Sequence, residues 1–232
     1  MLLLKFLLLA VAWASCDDAA AGDGSVGEGA AADSGQCAWP SEAQQAPAIL
    51  ALSGSLRRAS ANSGLLRAAM AGSSSVAAAP VLLSELPFFD ADVEAAPEGL
   101  PPAVAALRAA AFAARGFLFA TPEYNGLTSA VLKNALDWLS RRGPEGRSPL
   151  SGKPFAVVSA GGSFGGARAQ RSVEAIAGDV GMKKVDGRPQ IAVKLFDGVR
   201  RFDEATGDLL DGAVRAELNA LVAALEAQAR EN

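Results

Sequence analysis

The chain has no histidine and only two cysteines among its 232 residues. Without histidine, Ser-His-Asp and Cys-His nucleophilic catalysis are excluded, and so are the usual histidine-ligated zinc sites. Cys16 and Cys37 both precede the region that we predict to fold, and they form neither a disulfide framework nor a metal-spaced set. Basic residues are not in excess either, since the formal net charge is −4 and the pI is about 5.0. We therefore expect no nucleic-acid-binding surface.

The first 46 residues show no pattern of a packed core. Residues 1–16 combine Lys5 with a short apolar run and an Ala12-Trp13-Ala14 sequence of small-x-small type, which predicts a signal-peptide-like leader. The run is too short to span a bilayer in the mature chain. Residues 17–46 are rich in Ala, Gly, Ser, Asp and Glu without periodicity, which predicts a disordered low-complexity linker. A working leader would direct the protein to the secretory pathway or an organelle; otherwise we expect a cytoplasmic location.

Residues 47–232 alternate short apolar strands with helices. We predict strands at 48–55, 81–83, 117–120, 154–160 and 190–195, and helices near 60–71, 102–116, 127–140, 166–181 and 214–225. Because the strands are apolar throughout, both faces of the sheet should be covered, as in parallel sheets. The predicted fold class is therefore α/β. The expected form is a three-layer sandwich around a flavodoxin-like, doubly wound, five-stranded parallel sheet of order 2-1-3-4-5, with a Rossmann order as the main alternative.

The predicted helix at 127–140 is apolar on two sides. One stripe contains Leu127, Val131, Ala135 and Trp138, and the other contains Leu132, Leu136 and Leu139. One stripe can pack on the sheet, but the second needs a cover of its own. A neighbouring loop or a second subunit would provide it, and we favour a homodimer interface.

Three loops follow the first, third and fourth predicted strands, and ligands of open α/β sheets bind at this edge. The first loop carries hydroxyl, guanidinium and amide donors at the start of a helix: Ser55, Arg57, Ser60 and Asn62. A helix N-terminus favours an anion, and arginine can hold a phosphate through two bonds. An ordinary helix cap beside a surface arginine is an equally good interpretation. The loop matches neither the P-loop nor the dinucleotide-binding pattern.

The second loop, residues 121–126, places an aromatic ring and a flexible glycine after the third predicted strand. The third loop, residues 159–166, is rich in glycine, which lets the backbone approach a ligand closely. Gly161-x-Ser163-x-Gly165 matches the nucleophile elbow of α/β hydrolases, but the chain has no histidine to act as the base. An anion-binding loop, an aromatic loop and a glycine-rich wall at one edge would suit a phosphate joined to a flat ring, such as FMN.

Three motifs together resemble the NADPH-dependent FMN reductase family. They are G-S-L-R-x-x-S-x-N, T-P-E-Y-N-G followed by V-L-K-N-A-L-D-W, and S-x-G-G-x-x-G-G-x-R-A-Q. The resemblance covers about Pro47 to Ala227. This flavodoxin-like group includes bacterial chromate, quinone and azo-dye reductases. The resemblance implies an FMN-containing oxidoreductase that takes hydride from NADPH or NADH. By ping-pong transfer it would then reduce a small acceptor, which is a quinone, an azo compound, a metal oxyanion or free flavin.

The resemblance also implies a set of site residues. The FMN phosphate would be held by Ser55, Arg57, Ser60 and Asn62, the ring would lie against Pro122, Glu123, Tyr124, Asn125 and Gly126, and Ser159, Gly161 and Gly162 would close the other side. No side chain is assigned as catalytic, because the flavin N5 carries the chemistry, and no metal is expected. Family members are usually dimers or tetramers. Many have a Ser-Ile-Pro-Gly-type stretch where this chain has Leu127-Thr128-Ser129-Ala130. A flavodoxin-type FMN electron carrier, or a non-catalytic flavin-binding protein, is the alternative.

Overall fold

Strands and helices alternate along the folded part of the chain. The computed structural model describes residues 48–143, 146–187 and 190–232. The strands are β1 (Ile49–Ser53), β2 (Val76–Ala78), β3 (Gly116–Ala120), β4 (Pro154–Gly161), β5 (Lys183–Lys184) and β6 (Ile191–Lys194). The helices are α1 (Ala61–Gly72), α2 (Ala91–Glu94), α3 (Pro102–Ala113), α4 (Ala130–Ser140), α5 (Ala167–Asp179) and α6 (Gly212–Arg230). The predicted leader at 1–16 and linker at 17–46 lie outside the described residues and stay predictions.

The strands form one parallel sheet. Its order is β2-β1-β3-β4-β5, with β6 also beside β4. The predicted flavodoxin-like order 2-1-3-4-5 is confirmed, and the Rossmann order is not adopted. The fifth position is divided between two short strands, because β5 pairs with the first residues of β4 and β6 pairs with Val158–Gly161. The sheet therefore has six strands where five were predicted, and the loops after β1, β3 and β4 emerge at the same edge.

Helices cover both faces of the sheet. Side chains alternate along each strand, so that Ile49 and Ala51 of β1 pack with α1 and α6, whereas Leu50 and Leu52 pack with α3 and α4. All five residues of β3 are buried. Burial on both faces explains why the strands read as uninterrupted apolar runs, and it gives the three-layer sandwich. No helix within the described ranges is long and apolar enough to cross a membrane.

The second apolar stripe of α4 is covered by the chain itself. Leu132, Leu136 and Leu139 are fully buried in one cluster with Leu83 and Leu86, which precede α2. In the same region the Trp138 ring meets Phe89 edge to face at 5.0 Å, and the Trp138 indole N–H donates to the Pro87 carbonyl at 2.8 Å. A neighbouring loop thus provides the cover. The stripe no longer argues for a homodimer, and the oligomeric state stays a prediction.

Two predicted boundaries are wrong. The second strand was expected at 81–83, but β2 ends before Pro80, which has no N–H to donate to a strand ladder. The apolar residues after Pro80 instead lead into a 3-10 turn at Leu83–Glu85, which helps to cover α4. The helix expected from 127 begins at Ala130, because the Ser129 hydroxyl caps it by accepting a bond from the Leu132 amide at 3.4 Å.

Candidate active site

A cavity of about 1010 Å³ opens at the carboxyl edge of the sheet. The loops after β1, β3 and β4 form three of its walls, and the segment between β6 and α6 forms the fourth. Of the twelve predicted site residues, eleven line it: Ser55, Arg57, Ser60, Asn62, Pro122, Glu123, Tyr124, Asn125, Gly126, Gly161 and Gly162. The three loops therefore meet as the parallel topology requires.

The loop after β1 ends in the N-terminus of α1. The Ser60 hydroxyl caps the helix by accepting a bond from the Ser63 amide at 3.3 Å. The first amides of a helix have no partner within it, and together with the helix dipole they favour an anion. Arg57 is exposed at the same place, and its guanidinium forms no ion pair with any described residue. The loop thus offers amides, hydroxyls and a free cation to a phosphate.

Asn62 is occupied mainly by the fold. Its side chain is buried; the amide nitrogen donates to the Ala160 carbonyl and its oxygen accepts from the Ala160 amide, each at 2.9 Å. This pair of bonds fastens the first turn of α1 to the end of β4. One of the two N–H groups of Asn62 is left over, so its predicted contact with a phosphate is secondary to this structural role.

The loop after β3 is a tight hairpin at its tip. The backbones of Tyr124 and Leu127 exchange two hydrogen bonds of 3.0 and 3.1 Å. Between them, Asn125 has φ 52° and Gly126 has φ 83°, as expected for a two-residue type I′ turn. Asn125 is the one residue other than glycine with positive φ in the described part of the chain. The hairpin leaves Tyr124 53% exposed beside the cavity.

Glu123 anchors the same loop to α5. Its carboxylate accepts bonds from the Arg168 Nε at 2.7 Å and the Arg168 amide at 3.1 Å. Burial by itself would raise the pKa of Glu123, but the bonds from Arg168 outweigh it and the pKa is lowered. Glu123 is therefore ionised and paired at neutral pH, which suits positioning of the loop rather than proton transfer.

Ser159 lies behind the glycine-rich wall rather than on it. It is fully buried; its hydroxyl donates to the Gly165 carbonyl at 2.6 Å and accepts from the side-chain Nε2 of Gln170 at 2.7 Å. Ser159 is absent from the described residues that line the cavity. The Ser159 side chain thus supports the loop from inside, and its contact with the ring stays a prediction.

The fourth wall, residues 195–207, was missed by sequence reasoning. Phe202 and Leu209 pair across a short hairpin, and Arg67 of α1 holds it by donating to Asp208 at 2.6 Å and to the Thr206 carbonyl at 2.7 Å. The segment has no helical or strand periodicity. One indirect signal existed, namely Gly64 within α1, where a Cβ would lie 1.8 Å from the Gly207 carbonyl oxygen.

Arg168 and Phe164 are two further lining residues that the prediction left out. The Arg168 guanidinium carbon lies 5.5 Å from the Phe164 ring centroid, and it is 3.8 Å from the place where a Cβ of Gly126 would be. Arg168 therefore connects the aromatic loop, the glycine-rich loop and α5. Its signal was the R-A-Q that ends the third motif.

Fold and site together define a flavodoxin-like protein with a cavity for a flat, anionic ligand. The model of the NADPH-dependent FMN reductase family matches residues 47–194. The chain is 39% identical over 183 residues to "Probable NADPH:quinone oxidoreductase 1" of Oryza sativa subsp. japonica, covering 77% of this chain and 90% of the relative. It is 38% identical over 182 residues to an NAD(P)H-dependent FMN reductase of Pseudomonas aeruginosa, covering 77% and 92%.

Among solved structures, the fold is similar to FerB, a flavoenzyme NAD(P)H:(acceptor) oxidoreductase from Paracoccus denitrificans. The TM-score is 0.65 at 25% identity, over 79% of this chain and 97% of that chain. The chain belongs to the NADPH-dependent FMN reductase family. It is therefore an NAD(P)H-dependent oxidoreductase with FMN as its cofactor, and the expectation of an enzyme is confirmed.

The residues of the cavity fit FMN. Hydroxyls, helix amides and a free arginine at one end match a phosphate. At the other end the wall is closely packed around its glycines, since a Cβ on Gly161 would lie 3.0 Å from the Gly166 amide nitrogen, and one on Gly162 would lie 3.3 Å from the Phe196 ring. A larger residue at either position would press on Gly166 or Phe196 and change the shape of this wall.

Proposed function

We propose that the protein is a quinone reductase that works by a ping-pong mechanism, in which NAD(P)H and the quinone use the same space in turn. The observation that carries the proposal is the cavity. At about 1010 Å³ it is at the upper end of the usual range for ligand sites, roughly 300–1,000 Å³. It thus has room for a bound cofactor and one further flat molecule. The quinone oxidoreductases among its relatives support the choice of acceptor.

In this proposal each wall has a separate task. Ser55, Arg57 and Ser60 bind the cofactor phosphate together with the first amides of α1. The loop 122–126 lies along one side of the ring, and Gly161 and Gly162 lie along the other. The Glu123–Arg168 pair and the Asn62–Ala160 bonds keep these walls at a fixed separation.

When bound, FMN supplies the redox chemistry by taking a hydride from NAD(P)H and passing two electrons to the acceptor. The chain contributes position and electrostatics. Backbone amides at Gly126 and Gly162, which line the cavity, would stabilise the negative charge of the reduced ring by hydrogen bonds. The one carboxylate of the aromatic loop, Glu123, is paired with Arg168, so no side chain is assigned as an acid or base.

The aromatic rim favours flat acceptors. Tyr124, Phe164 and Phe196 line the cavity and are 53%, 67% and 79% exposed. Exposed rings of this kind stack on other flat rings, and such contacts contribute about 0.5–1.5 kcal/mol each. We therefore place quinones first among the acceptors, before azo compounds and free flavin, and we place metal oxyanions last.

The test uses the full chain purified and supplied with FMN. Its visible spectrum should show bound flavin, anaerobic NADPH should bleach it, and a quinone should restore it. Initial rates at several fixed quinone concentrations should give parallel double-reciprocal lines. Intersecting lines would mean that both substrates bind together, which would overturn the shared-space mechanism. A protein that takes up no FMN would overturn the whole proposal.

A further inference from the structure

Arg200 is a cation on the fourth wall of the cavity that has no close ion pair within the described residues. Its guanidinium lies 3.6 Å from the Asp203 carboxylate, a long contact, and its side chain is 64% exposed. An exposed pair at this distance contributes little. No described residue forms a closer ion pair with Arg200. A polar group of a ligand could therefore replace Asp203 at small cost.

The other arginines of the cavity already have tasks. Arg168 is paired with Glu123. Arg201 lies 2.7 Å from Asp197 and 3.5 Å from Asp211, and its bond to Asp197 raises the pKa of Arg201. Arg57 stands at the N-terminus of α1, where we place the cofactor phosphate. Of the four arginines that line the cavity, Arg200 alone has neither a close ion pair within the chain nor an assigned contact with the cofactor.

Hydrogen bonds hold the backbone around Arg200 in place, although its side chain makes only the 3.6 Å contact with Asp203. The Arg201 carbonyl accepts a bond from the Leu210 amide at 2.8 Å, and the Asp203 carboxylate accepts bonds from the Thr206 and Ala205 amides at 2.9 and 3.0 Å. These backbone bonds lower the pKa of Asp203 and occupy its carboxylate. A cation on such a support binds an anion with little loss of backbone entropy.

The position of residues 195–207 indicates which part of a bound substrate lies near Arg200. At one end the Phe196 ring approaches Gly162 of the glycine-rich wall. At the other end Gly207 packs on Ser60, with only 2.7 Å between the Ser60 carbonyl and a Cβ placed on Gly207. Arg200 lies on the chain between these ends. A substrate whose ring stacks at the glycine-rich wall would extend its remaining groups along this segment.

We infer that Arg200 binds a phosphate group of the nicotinamide dinucleotide and so contributes to the choice of electron donor. The inference rests on the proposed function, because it takes the nicotinamide to stack in the shared space. Two phosphate sources have this chemistry. The 2′-phosphate is present in NADPH alone, whereas the pyrophosphate is present in both NADPH and NADH.

The test compares Arg200→Gln with a matched control, Arg58→Gln, in the FMN-loaded full chain. Arg58 is also an exposed arginine, but it does not belong to the described lining of this cavity. Calorimetry should show NADP⁺ binding weakened about 3- to 10-fold in Arg200→Gln, as expected for loss of one exposed charge-assisted contact. KM for NADPH should rise by a similar factor, and Arg200→Lys should restore part of the loss.

The two dinucleotides distinguish the phosphates. Weaker binding of NADP⁺ alone assigns Arg200 to the 2′-phosphate, and equal weakening of NAD⁺ assigns it to the pyrophosphate. Unchanged binding of both overturns the inference, as does a loss of FMN affinity in Arg200→Gln, which would assign Arg200 to the cofactor phosphate. If wild-type protein were not reduced by NADPH, the proposed function itself would fail. If NADPH reduced the wild-type protein normally but Arg200→Gln bound both dinucleotides as the wild type does, only the inference about Arg200 would fail and the proposed function would stand.

Discussion

Arg57 and Asn62 belong to the same loop, but the structure uses them differently. The Asn62 amide bonds to the backbone of Ala160 in two places, whereas the Arg57 guanidinium has no partner among the described residues. Both were predicted to hold a phosphate, because sequence shows only polar residues near a helix N-terminus. A buried, satisfied amide stabilises the fold, and a free guanidinium on a cavity wall is available to a ligand.

Replacement of Arg57 by alanine should weaken FMN binding by about 1–3 kcal/mol, since one charge-assisted bond to the phosphate is lost. Titration of the apoprotein with FMN, followed by the quenching of flavin fluorescence, measures the effect. Arg58→Ala is the control, because it removes a neighbouring exposed charge outside the described cavity lining. Equal FMN affinities for the two variants would show that the phosphate assignment is wrong.

At the scale of elements, the glycine-rich loop is shaped by two separate constraints. Gly165 and Gly166 both have positive φ, at 66° and 87°. Gly165 also lies against the edge strand, so that a Cβ there would be 2.3 Å from the Ala192 carbonyl oxygen. The first constraint is a local preference of glycine. The second depends on β6, which is distant in the chain.

Substitutions can separate these constraints. Gly165→Ala should lower the free energy of unfolding by about 1–3 kcal/mol more than Gly187→Ala, because of overpacking against β6. Gly187 has φ 68°, close to that of Gly165, but a Cβ there meets nothing within 4 Å. Urea denaturation of both variants gives the difference. Equal losses would mean that backbone conformation alone requires glycine at 165.

Element positions were predictable where periodicity was strong. Strands β1, β3 and β4 lie within a residue or two of their expected places, since long apolar runs between turn residues are unambiguous. Strand β2 was misplaced, because Val81–Leu83 is equally apolar but follows a proline. The 202–209 hairpin was not found at all. Its shape comes from the turn at Asp203 and from the bond that Arg67 donates to Asp208, and no short sequence pattern predicts either of them.

For the whole molecule, Lys153 joins three elements at the edge opposite the carboxyl ends of the strands. It precedes β4, and its Nζ donates to the carbonyls of Ala111 at 2.7 Å and Phe112 at 3.0 Å, in the last turn of α3. The same Nζ lies 5.8 Å from the Phe117 ring centroid of β3. Burial, with a smaller contribution from Arg147, lowers the pKa of Lys153 to about 8.

This shift makes stability depend on pH. Between about pH 8 and 10.5, unfolded chains keep a proton on Lys153 that folded chains have released. Because the unfolded state binds more protons, the free energy of unfolding should rise with pH through this window. Lys153→Met should lack that rise. Urea denaturation of the wild type and Lys153→Met at about pH 7.5 and 9.5 measures this rise. All other titratable groups are the same in the two proteins, so the difference between them belongs to Lys153. Parallel pH dependences would contradict the assignment.

A homodimer or homotetramer was also predicted for the protein. Its argument from the residues was the second stripe of α4, which is buried within the chain in one cluster with Leu83 and Leu86. The oligomeric state therefore rests on the resemblance to the family and stays a prediction.

The fold class, the strand order and the meeting of three loops at one edge could all be predicted from the residues alone. Apolar periodicity and loop motifs act over short stretches of chain, and parallel connection brings the loops together. Four features became visible only in the folded chain: Asn62 bonds to Ala160, Glu123 pairs with Arg168, Ser159 faces inward, and residues 195–207 close the cavity. Asn62 and Ala160 are 98 positions apart, and Arg67, which holds the fourth wall, is 141 positions from Asp208. No local pattern specifies such pairs, because they form only when the packed sheet and helices bring them within bonding distance.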